Sequence, residues 1–245
     1  GGQSTRPNAE IAPEEEELRR VIPVIKAARE AGVRECISVD TFRANVARQA
    51  VEAGASMIND VTGGLMDSQM LPTAADLQVP ICLMHYRGDP ESMTGLANYP
   101  PGDVMGQVAR ELTERTAAAL QAGVHRWNIV LDPGIGFAKS ASHSLDTLRG
   151  SRSLTRLCRP WSGYGSDGYG LPGLPAEGFG LLIGASRKSF IGAVLKEKDA
   201  KSQRRVWGTA AASTAGVEQG ACIVRVHDVA EMADVLKLAD AIYRW

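Results

Sequence analysis

The sequence lacks a strong excess of charge and a long apolar run. Its 245 residues include 27 Lys and Arg against 28 Asp and Glu, a formal net charge of −1. No overall field therefore favours nucleic acid or an anionic membrane surface as a partner. No run reaches 18 apolar residues, which predicts that the chain has no transmembrane segment. Any site for an anion must be built locally, from a few cationic side chains.

The sequence also has few cysteines, and they show no CxxC spacing. Cys36, Cys82 and Cys222 lie within apolar runs and are predicted to be small core residues, while Cys158 is isolated. This pattern argues against a disulfide framework or a zinc site. It favours a reducing compartment such as the cytoplasm.

What is present is an alternation of short apolar runs and amphipathic stretches. A hydrophobic content of 44% with 22% charged residues is typical of a soluble globular protein. Runs rich in Ile, Val and Leu are typical of buried parallel strands. The predicted strands are 35–39, 56–58, 80–84, 127–131, 181–184 and 222–226.

Repeated β-then-α units predict a parallel sheet with right-handed crossovers. The pattern allows a doubly wound sheet or a (β/α)8 barrel, and six strands are visible where a barrel needs eight. The chain opens on Gly1–Pro7, a polar loop of the kind that follows a strand. We therefore expect the strand that holds it, and one before that, upstream of Gly1. A stretch rich in glycine and proline at about 160–180 predicts a long surface insertion.

Polar side chains follow nearly every predicted strand, at the sheet edge where parallel α/β folds bind ligands. Asp40, Asn59 and Asp132 carry acceptor oxygens that suit the N–H edge of a heteroaromatic ring. A second group is cationic or can become so, and suits phosphate oxygens. Its members are Arg6, Lys188, Arg225 and His227. The sequence thus predicts a ligand with a polar heterocycle at one end and a phosphate at the other.

Three further polar residues carry a weaker signal. Asp60 follows Asn59 directly, and His85 serves equally well as a loop anchor or as a ligand contact. Lys139 is predicted to line the mouth of the site.

Six motifs occur in the order found in the dihydropteroate synthase family, which this chain resembles over its whole length except the insertion. They are Gly2–Pro7, Ser38–Thr41, Ile58–Val61, Asp132–Phe137, Ser186–Ser189 and Arg225–Asp228. The resemblance implies a (β/α)8 TIM barrel over 1–245, one pterin-binding domain that lacks its N-terminal one to two strands. It implies a transferase of folate synthesis, which joins 6-hydroxymethyl-dihydropterin pyrophosphate to p-aminobenzoate and releases pyrophosphate.

The resemblance also implies roles for individual residues. Asp40, Asn59, Asp132 and Lys188 would hold the pterin, and Lys188, Arg225 and Asp40 would act in catalysis. Arg225 would stack on the pterin ring and reach the pyrophosphate together with His227 and Asn59. The remaining substrate-binding residues are Met84, a loop over p-aminobenzoate formed by Thr5, Arg6 and Pro7, and the facing walls Phe137 and Ser189.

Cofactor and partners follow from the same resemblance. It implies Mg²⁺, held in part by an Asn upstream of Gly1, and sulfonamides as competitors of p-aminobenzoate. It also implies a homodimer, fusion to other folate enzymes in some members, and a cytoplasmic or mitochondrial location.

Three other functions stay open on the sequence. Lys188 could form a Schiff base in an aldolase. A pterin-binding methyltransferase would share Asp40, Asn59 and Asp132 but would not need Ser4–Pro7 or Ser186–Ser189. A binding-only module is the third.

Overall fold

The computed structural model describes Gly2 and residues 10–88, 95–157 and 178–244. In these ranges six parallel strands pair in chain order, each with the next. All six predicted strands are confirmed, with shifted ends. They are β1 (Ser38–Asp40), β2 (Met57–Asp60), β3 (Ile81–Met84), β4 (Ile129–Asp132), β5 (Gly180–Ile183) and β6 (Ile223–Val224).

Helices alternate with the strands, as the amphipathic pattern predicts. Val104, Val108 and Leu112 are buried on one face of the longest helix, at the spacing of successive helical turns. The described helices are α1 (Glu14–Glu30), α2 (Ala44–Glu52), α3 (Met70–Leu77), α4 (Val104–Gln121), α5 (Ala141–Gly150), α6 (Arg152–Leu157), α7 (Ser189–Leu195), α8 (Gln203–Glu218) and α9 (Val229–Tyr243).

The sheet is curled rather than flat. In a flat sheet, β1 and β6 would lie about 24 Å apart, because neighbouring strands are spaced by about 4.8 Å. Yet Arg225, just after β6, donates a hydrogen bond from Nη2 to Asp40 Oδ2 at the end of β1, over 2.8 Å. Two side chains cannot span the flat distance, so the outer strands approach each other around a part-barrel. The doubly wound alternative has no such contact between its outer strands.

The inner face of this part-barrel is set by the two-residue period of the strands. Five side chains from successive strands form an apolar cluster that contains no helix residue: Met57, Cys82, Val130, Leu182 and Ile223. Because alternate residues face the same side, the residue two positions further along each strand also points inward. Those residues are Asn59, Met84, Asp132, Gly184 and Arg225. In β1 the equivalent position is Asp40, two residues after Ser38. We call them the inner mouth residues.

The prediction of three core cysteines is wrong for two of them. Cys82 is buried, whereas Cys36 and Cys222 are exposed free thiols. Both lie where the outer strands begin, since Cys36 precedes β1 and Cys222 precedes β6, and there an apolar run has a neighbouring strand on one side only. Among the described helices, none is both long and apolar enough to cross a membrane.

Candidate functional site

The inner mouth residues bring together side chains that are far apart in the sequence. In the strand register Asp40 lies beside Asn59, and Met84 beside Asp132. Asn59, Met84 and Asp132 are buried, while Arg225 is half exposed at the rim. Gly184 has no side chain, and a Cβ there would lie 3.9 Å from both Asp132 Oδ2 and Arg225 Cβ. The gap in the side-chain lining therefore lies between a carboxylate and a guanidinium.

Asp40, Asn59 and Arg225 form a polar chain across the mouth. The Asn59 amide N–H donates to Asp40 Oδ1, and Arg225 donates to Asp40 Oδ2. The other end of the Asn59 amide, Oδ1, is buried and accepts no hydrogen bond from any described residue. A buried acceptor left in this state costs free energy until a donor reaches it. The site thus offers Asn59 Oδ1 to an N–H donor of a ligand.

Asp132 supplies a carboxylate at the bottom of the site. Its Oδ1 accepts a hydrogen bond from the Gly134 N–H over 2.7 Å. Burial raises the pKa of Asp132 to about 6, and the Gly134 hydrogen bond and the charges of Lys188, Lys139 and Arg225 oppose that rise. The carboxylate is therefore ionised at neutral pH but poorly solvated, which makes it a strong acceptor for ligand N–H groups.

Lys188 stands opposite, directly before helix α7. Its ammonium lies 3.7 Å from the centre of the Phe137 ring, a cation–π contact. Burial lowers the pKa of Lys188 to about 8, although the charge of Asp132 works in the other direction. Its aliphatic stem packs on Gly136, where a Cβ would approach Lys188 Cδ to 3.1 Å. Cation, ring and carboxylate thus share one side of the mouth.

The loop 133–138 between Asp132 and Lys139 depends on glycine. Gly134 has φ +66°, and a Cβ on it would lie only 2.2 Å from the His85 carbonyl oxygen. L-residues rarely adopt this φ, and the close neighbour is backbone that cannot turn away. The close approach keeps the loop against the end of β3, where His85 N–H also donates to Asp132 O over 2.8 Å.

Gly134→Ala should therefore lower the free energy of unfolding by about 2–4 kcal/mol. Gly102→Ala is the matched control, because Gly102 also has a positive φ (+74°) but nothing lies within 4 Å of its Cβ position. The control should lose only about 1 kcal/mol. Urea unfolding of the three proteins measures both values, and equal losses would contradict the close approach at Gly134.

Among the predicted phosphate-binding residues that the structure describes, Lys188 follows β5, and Arg225 and His227 follow β6. His227 is exposed; its backbone N–H donates to Ser186 Oγ over 3.1 Å, and its Nδ1 lies 2.9 Å from the same hydroxyl. Burial, with the charges of Arg187 and Arg225, lowers the pKa of His227. Arg187 is paired with Asp228, with Nε donating to Oδ2 over 3.1 Å. Arg187 thus fastens two loops together, and Arg225 and His227 face the rim.

The three weaker candidates make contacts within the loops around this site. Asp60 is fully buried and accepts hydrogen bonds from the Thr62 N–H and Oγ1 and from the Gly64 N–H, so it organises its own loop. His85 is also buried, with Nδ1 2.9 Å from Lys139 Nζ. Lys139 is partly buried and donates to the carbonyls of Gly134 and Phe137 in loop 133–138, and its place in the lining of the mouth stays a prediction.

Other predicted residues lie at the margin or outside the description. Ser189 is exposed at the start of α7. Thr5, Arg6 and Pro7, and most of the 160–180 insertion, fall outside the described residues. No cluster of three or more His, Cys, Asp or Glu side chains suited to a metal occurs within the described ranges.

Comparison with known proteins identifies the family of the chain. A family model for pterin binding enzymes matches residues 1–227. The folic acid synthesis protein fol1 of Schizosaccharomyces pombe is 48% identical over 242 residues, and the match covers 99% of this chain and 30% of that protein. Dihydropteroate synthase of Synechocystis is 45% identical over 244 residues, covering 100% of this chain and 76% of the relative.

Solved structures agree in fold as well as in sequence. Dihydropteroate synthase of Xanthomonas albilineans with 4-aminobenzoic acid has a TM-score of 0.83 and 38% identity, and the match covers 100% of this chain and 78% of that one. The Yersinia pestis enzyme in a sulfonamide drug complex has a TM-score of 0.84 and 33% identity, covering 99% and 78%. These matches exceed what a shared barrel alone would give. The chain belongs to the dihydropteroate synthase family of pterin-binding enzymes.

Proposed function

We propose that this chain catalyses the condensation of 6-hydroxymethyl-dihydropterin pyrophosphate with p-aminobenzoate, forming dihydropteroate and pyrophosphate. The observation that carries the proposal is the set of inner mouth residues, in which acceptors and cations share one face of the part-barrel. The family membership supports the same reaction. The chain spans about 30% of the yeast relative and about three quarters of the cyanobacterial one, so further activities of a longer protein lie beyond this proposal.

The pterin would lie at the bottom of the mouth. Its aminopyrimidinone edge presents adjacent N–H donors, which suit the carboxylate of Asp132 and the unpaired Oδ1 of Asn59. Asp40 holds the Asn59 amide in the orientation that leaves Oδ1 free for the ligand. Met84, buried beside Asp132 in the register, adds an apolar wall. The missing side chain at Gly184 leaves room for the flat ring.

The pyrophosphate and the arylamine would occupy the outer part of the mouth. Arg225 and His227 lie at the rim, where a guanidinium and an imidazole can donate to phosphate oxygens. Phe137, Lys188 and Ser189 would form one wall for p-aminobenzoate. Thr5, Arg6 and Pro7 would close over it from the other side, a role that rests on the family resemblance alone.

The reaction then needs no protein nucleophile. The bond between the pterin methylene carbon and the pyrophosphate oxygen breaks, the amine nitrogen of p-aminobenzoate forms the new bond to that carbon, and the amine loses a proton to solvent. The charge that develops on the leaving pyrophosphate is met by Arg225, and Lys188 adds positive potential from the ring side. Holding the two substrates in line supplies much of the remaining acceleration.

Mg²⁺ stays part of the proposal only as a general expectation of the family. Within the described ranges no group of three or more acidic, thiol or imidazole side chains is placed to hold a metal ion, although Mg²⁺ needs only one or two carboxylates when waters and substrate phosphates complete its shell. We assign no step to the metal. Addition and removal of Mg²⁺ in the assay below measures its contribution.

Purified protein carrying this chain, mixed with both substrates, should release one pyrophosphate for each dihydropteroate formed. A sulfonamide should compete with p-aminobenzoate and raise its KM without changing kcat, because both would lie against Phe137 and Lys188. Borohydride added with the substrates is the control for the Schiff-base alternative and should leave the mass of the protein unchanged. Pyrophosphate release without p-aminobenzoate, or none with it, would contradict the proposal.

Three further assignments belong to this proposal as predictions. They are one pterin-binding domain over residues 1–245, a homodimer, and a cytoplasmic or mitochondrial location with fusion to other folate enzymes in a longer protein. An apolar groove of about 270 Å³ lies between α5, α7 and α8 and includes the exposed Val194. Sedimentation of the purified protein measures the oligomeric state directly.

A further inference from the structure

Lys139 is a partly buried lysine whose ammonium has a partner for each of its three N–H donors. Its ammonium donates to the Gly134 carbonyl over 3.1 Å and to the Phe137 carbonyl over 3.2 Å. The third partner is His85 Nδ1, at 2.9 Å. Within the described ranges no carboxylate oxygen lies within 4 Å of this ammonium, since none of the salt bridges there includes Lys139. The charge is therefore held by neutral acceptors alone.

Such an arrangement is costly for a fold. Burial lowers the pKa of Lys139 to about 7. The more distant charges of Asp132 and Glu111 favour the ammonium, and those of Arg87 and Lys188 disfavour it. A methionine of similar length would fill the same space without the cost of burying a charge. Folding stability alone does not account for a lysine at this position.

The surroundings of the ammonium are arranged for its charged form. Burial lowers the pKa of His85 to about 4, so this imidazole is neutral at pH 7 and Nδ1 can accept from the ammonium. Its Nε2 lies 3.1 Å from Glu111 Oε2. Burial alone would raise the pKa of Glu111, but the close His85 imidazole and the hydrogen bonds from Arg87 and Gln107 outweigh it and keep that pKa below its usual range. A fixed anion thus orients the histidine, and the histidine orients the lysine.

The two carbonyls that Lys139 holds lie on loop 133–138, which carries the site. The N–H of Gly134 donates to Asp132 Oδ1 over 2.7 Å, so the same residue contacts both the lysine and the carboxylate. The ring of Phe137 lies 3.7 Å from Lys188 Nζ on the opposite side of the loop. We infer that Lys139 is a positioning residue, which fastens loop 133–138 so that the Asp132 carboxylate and the Phe137 ring keep the geometry that the two substrates need. The link to substrates rests on the proposed function, whereas the fastening itself does not.

A variant of Tyr99 separates the effect of the Lys139 charge on Asp132 from mechanical anchoring of loop 133–138. The Tyr99 hydroxyl donates to the Ala138 carbonyl over 3.0 Å, so Tyr99 holds the end of the same loop without a charge. Burial raises the pKa of Tyr99 to about 12, which keeps the hydroxyl protonated and neutral. Tyr99→Phe therefore loosens the loop and leaves the electrostatics of Asp132 almost unchanged. Lys198→Met, at an exposed position, is the control for loss of a lysine elsewhere.

The test compares Lys139→Met, Tyr99→Phe and Lys198→Met with the unaltered protein in two measurements. Hydrogen exchange of segment 133–138 in the unliganded protein should speed up about tenfold or more in Lys139→Met, because its two carbonyls lose their donor. Affinity for pteroic acid, measured by calorimetry between pH 5 and 8, should fall about tenfold at pH 7. The pH below which this affinity falls, the acid limb of the profile, should also move to higher pH, since the cation that lowers the pKa of Asp132 is gone. Tyr99→Phe should weaken binding without moving that limb, and Lys198→Met should change neither result.

Each outcome decides one point. Unchanged exchange in segment 133–138 and an unmoved acid limb in Lys139→Met would overturn the inference. Absence of pteroic acid binding by the unaltered protein would contradict the proposed function, while the exchange measurement would still test the fastening. Should Lys139→Met fail to fold, Lys139→Gln takes its place. This variant keeps two N–H donors without the charge, so it should preserve most of the loop protection and still shift the acid limb; a limb that stays in place would contradict the electrostatic part.

Discussion

Asp132→Asn should weaken pterin binding by about 10²- to 10³-fold and remove nearly all synthase activity. The carboxylate can accept two ligand N–H groups, each hydrogen bond to a charged group being worth about 1.5–3 kcal/mol. The asparagine amide turns a donor toward one of them and carries no charge. The variant leaves the Gly134 N–H with an acceptor, because Asn Oδ1 can take the place of Asp132 Oδ1. Calorimetry with pteroic acid and the pyrophosphate assay measure the two losses.

The same substitution should stabilise the unliganded protein at pH 8. Burial raises the pKa of Asp132 from 3.8 to about 6, so the folded state holds its proton more tightly than the unfolded chain does. The carboxylate therefore costs folding free energy that is fully present above pH 6 and disappears as the pH falls toward 4. Two pH units correspond to about 3 kcal/mol at most. Urea unfolding at pH 8 and pH 4.5 should show a clearly larger gain for Asp132→Asn at the higher pH.

Asp76→Asn is the matched control for both measurements. Asp76 is largely exposed and pairs with Arg48 on the outside of the fold. Its replacement should leave pteroic acid binding unchanged and should not stabilise the protein at pH 8. If Asp132→Asn binds pteroic acid as well as the unaltered protein does, Asp132 is not the pterin acceptor. If it binds weakly but gains no stability, the carboxylate is better solvated than the structure shows.

Much of the fold and of the site follows from the sequence, because strands have a period of two. The apolar runs locate the six strands, and their last residues supply the candidate ligands. Counting residues along each strand then separates the candidates that face inward from those that face outward. Asn59 is two residues after the inward-facing Met57, whereas Asp60 is three residues after it and turns outward. The same count places Asp132 after Val130 on the inner face and His85 after Cys82 on the outer one. Gly184, two residues after Leu182, is found only by this count, since a glycine carries no chemical signal.

The surroundings of Lys139 could not be predicted, because they come from distant parts of the chain. In the sequence, Lys139 follows Phe137-Ala138 and is predicted to be a surface or mouth lysine. Its contact with His85 arises because β3 pairs with β4 in the sheet. Glu111, which orients that histidine, lies on α4 in a stretch whose pattern indicates only an amphipathic helix. The exposure of Cys36 and Cys222 likewise depends on which strands lie at the edges of the sheet. Local pattern carries no such information.

Lys188→Met should lower kcat/KM for the pterin pyrophosphate by about 10³-fold at pH 7. In the proposed reaction the ammonium would supply positive potential from the ring side as the leaving group departs, and one such preorganised group is worth about 3–4 kcal/mol. Methionine keeps the length of the stem that packs on Gly136. Because burial of the ammonium costs free energy, the variant should unfold no more easily than the unaltered protein. Lost activity with retained stability separates the role of the charge from a role in packing.

The pH dependence of kcat/KM then shows whether Lys188 is the group whose protonation the reaction needs. The pKa of Lys188 is lowered to about 8 by burial, so kcat/KM, which reports the free enzyme, should fall as the pH rises through 8 and the ammonium loses its proton. Lys188→Arg keeps a charge that is not lost in this range, since a guanidinium titrates only above pH 12. Its rate should be lower, because the larger planar group cannot lie over Phe137 in the same way. Its alkaline limb should nevertheless be absent up to pH 9.5. An alkaline limb that stays at pH 8 in Lys188→Arg would assign the titration to another group. The first candidate would be Lys139, whose pKa is about 7, and Lys139→Met would test it.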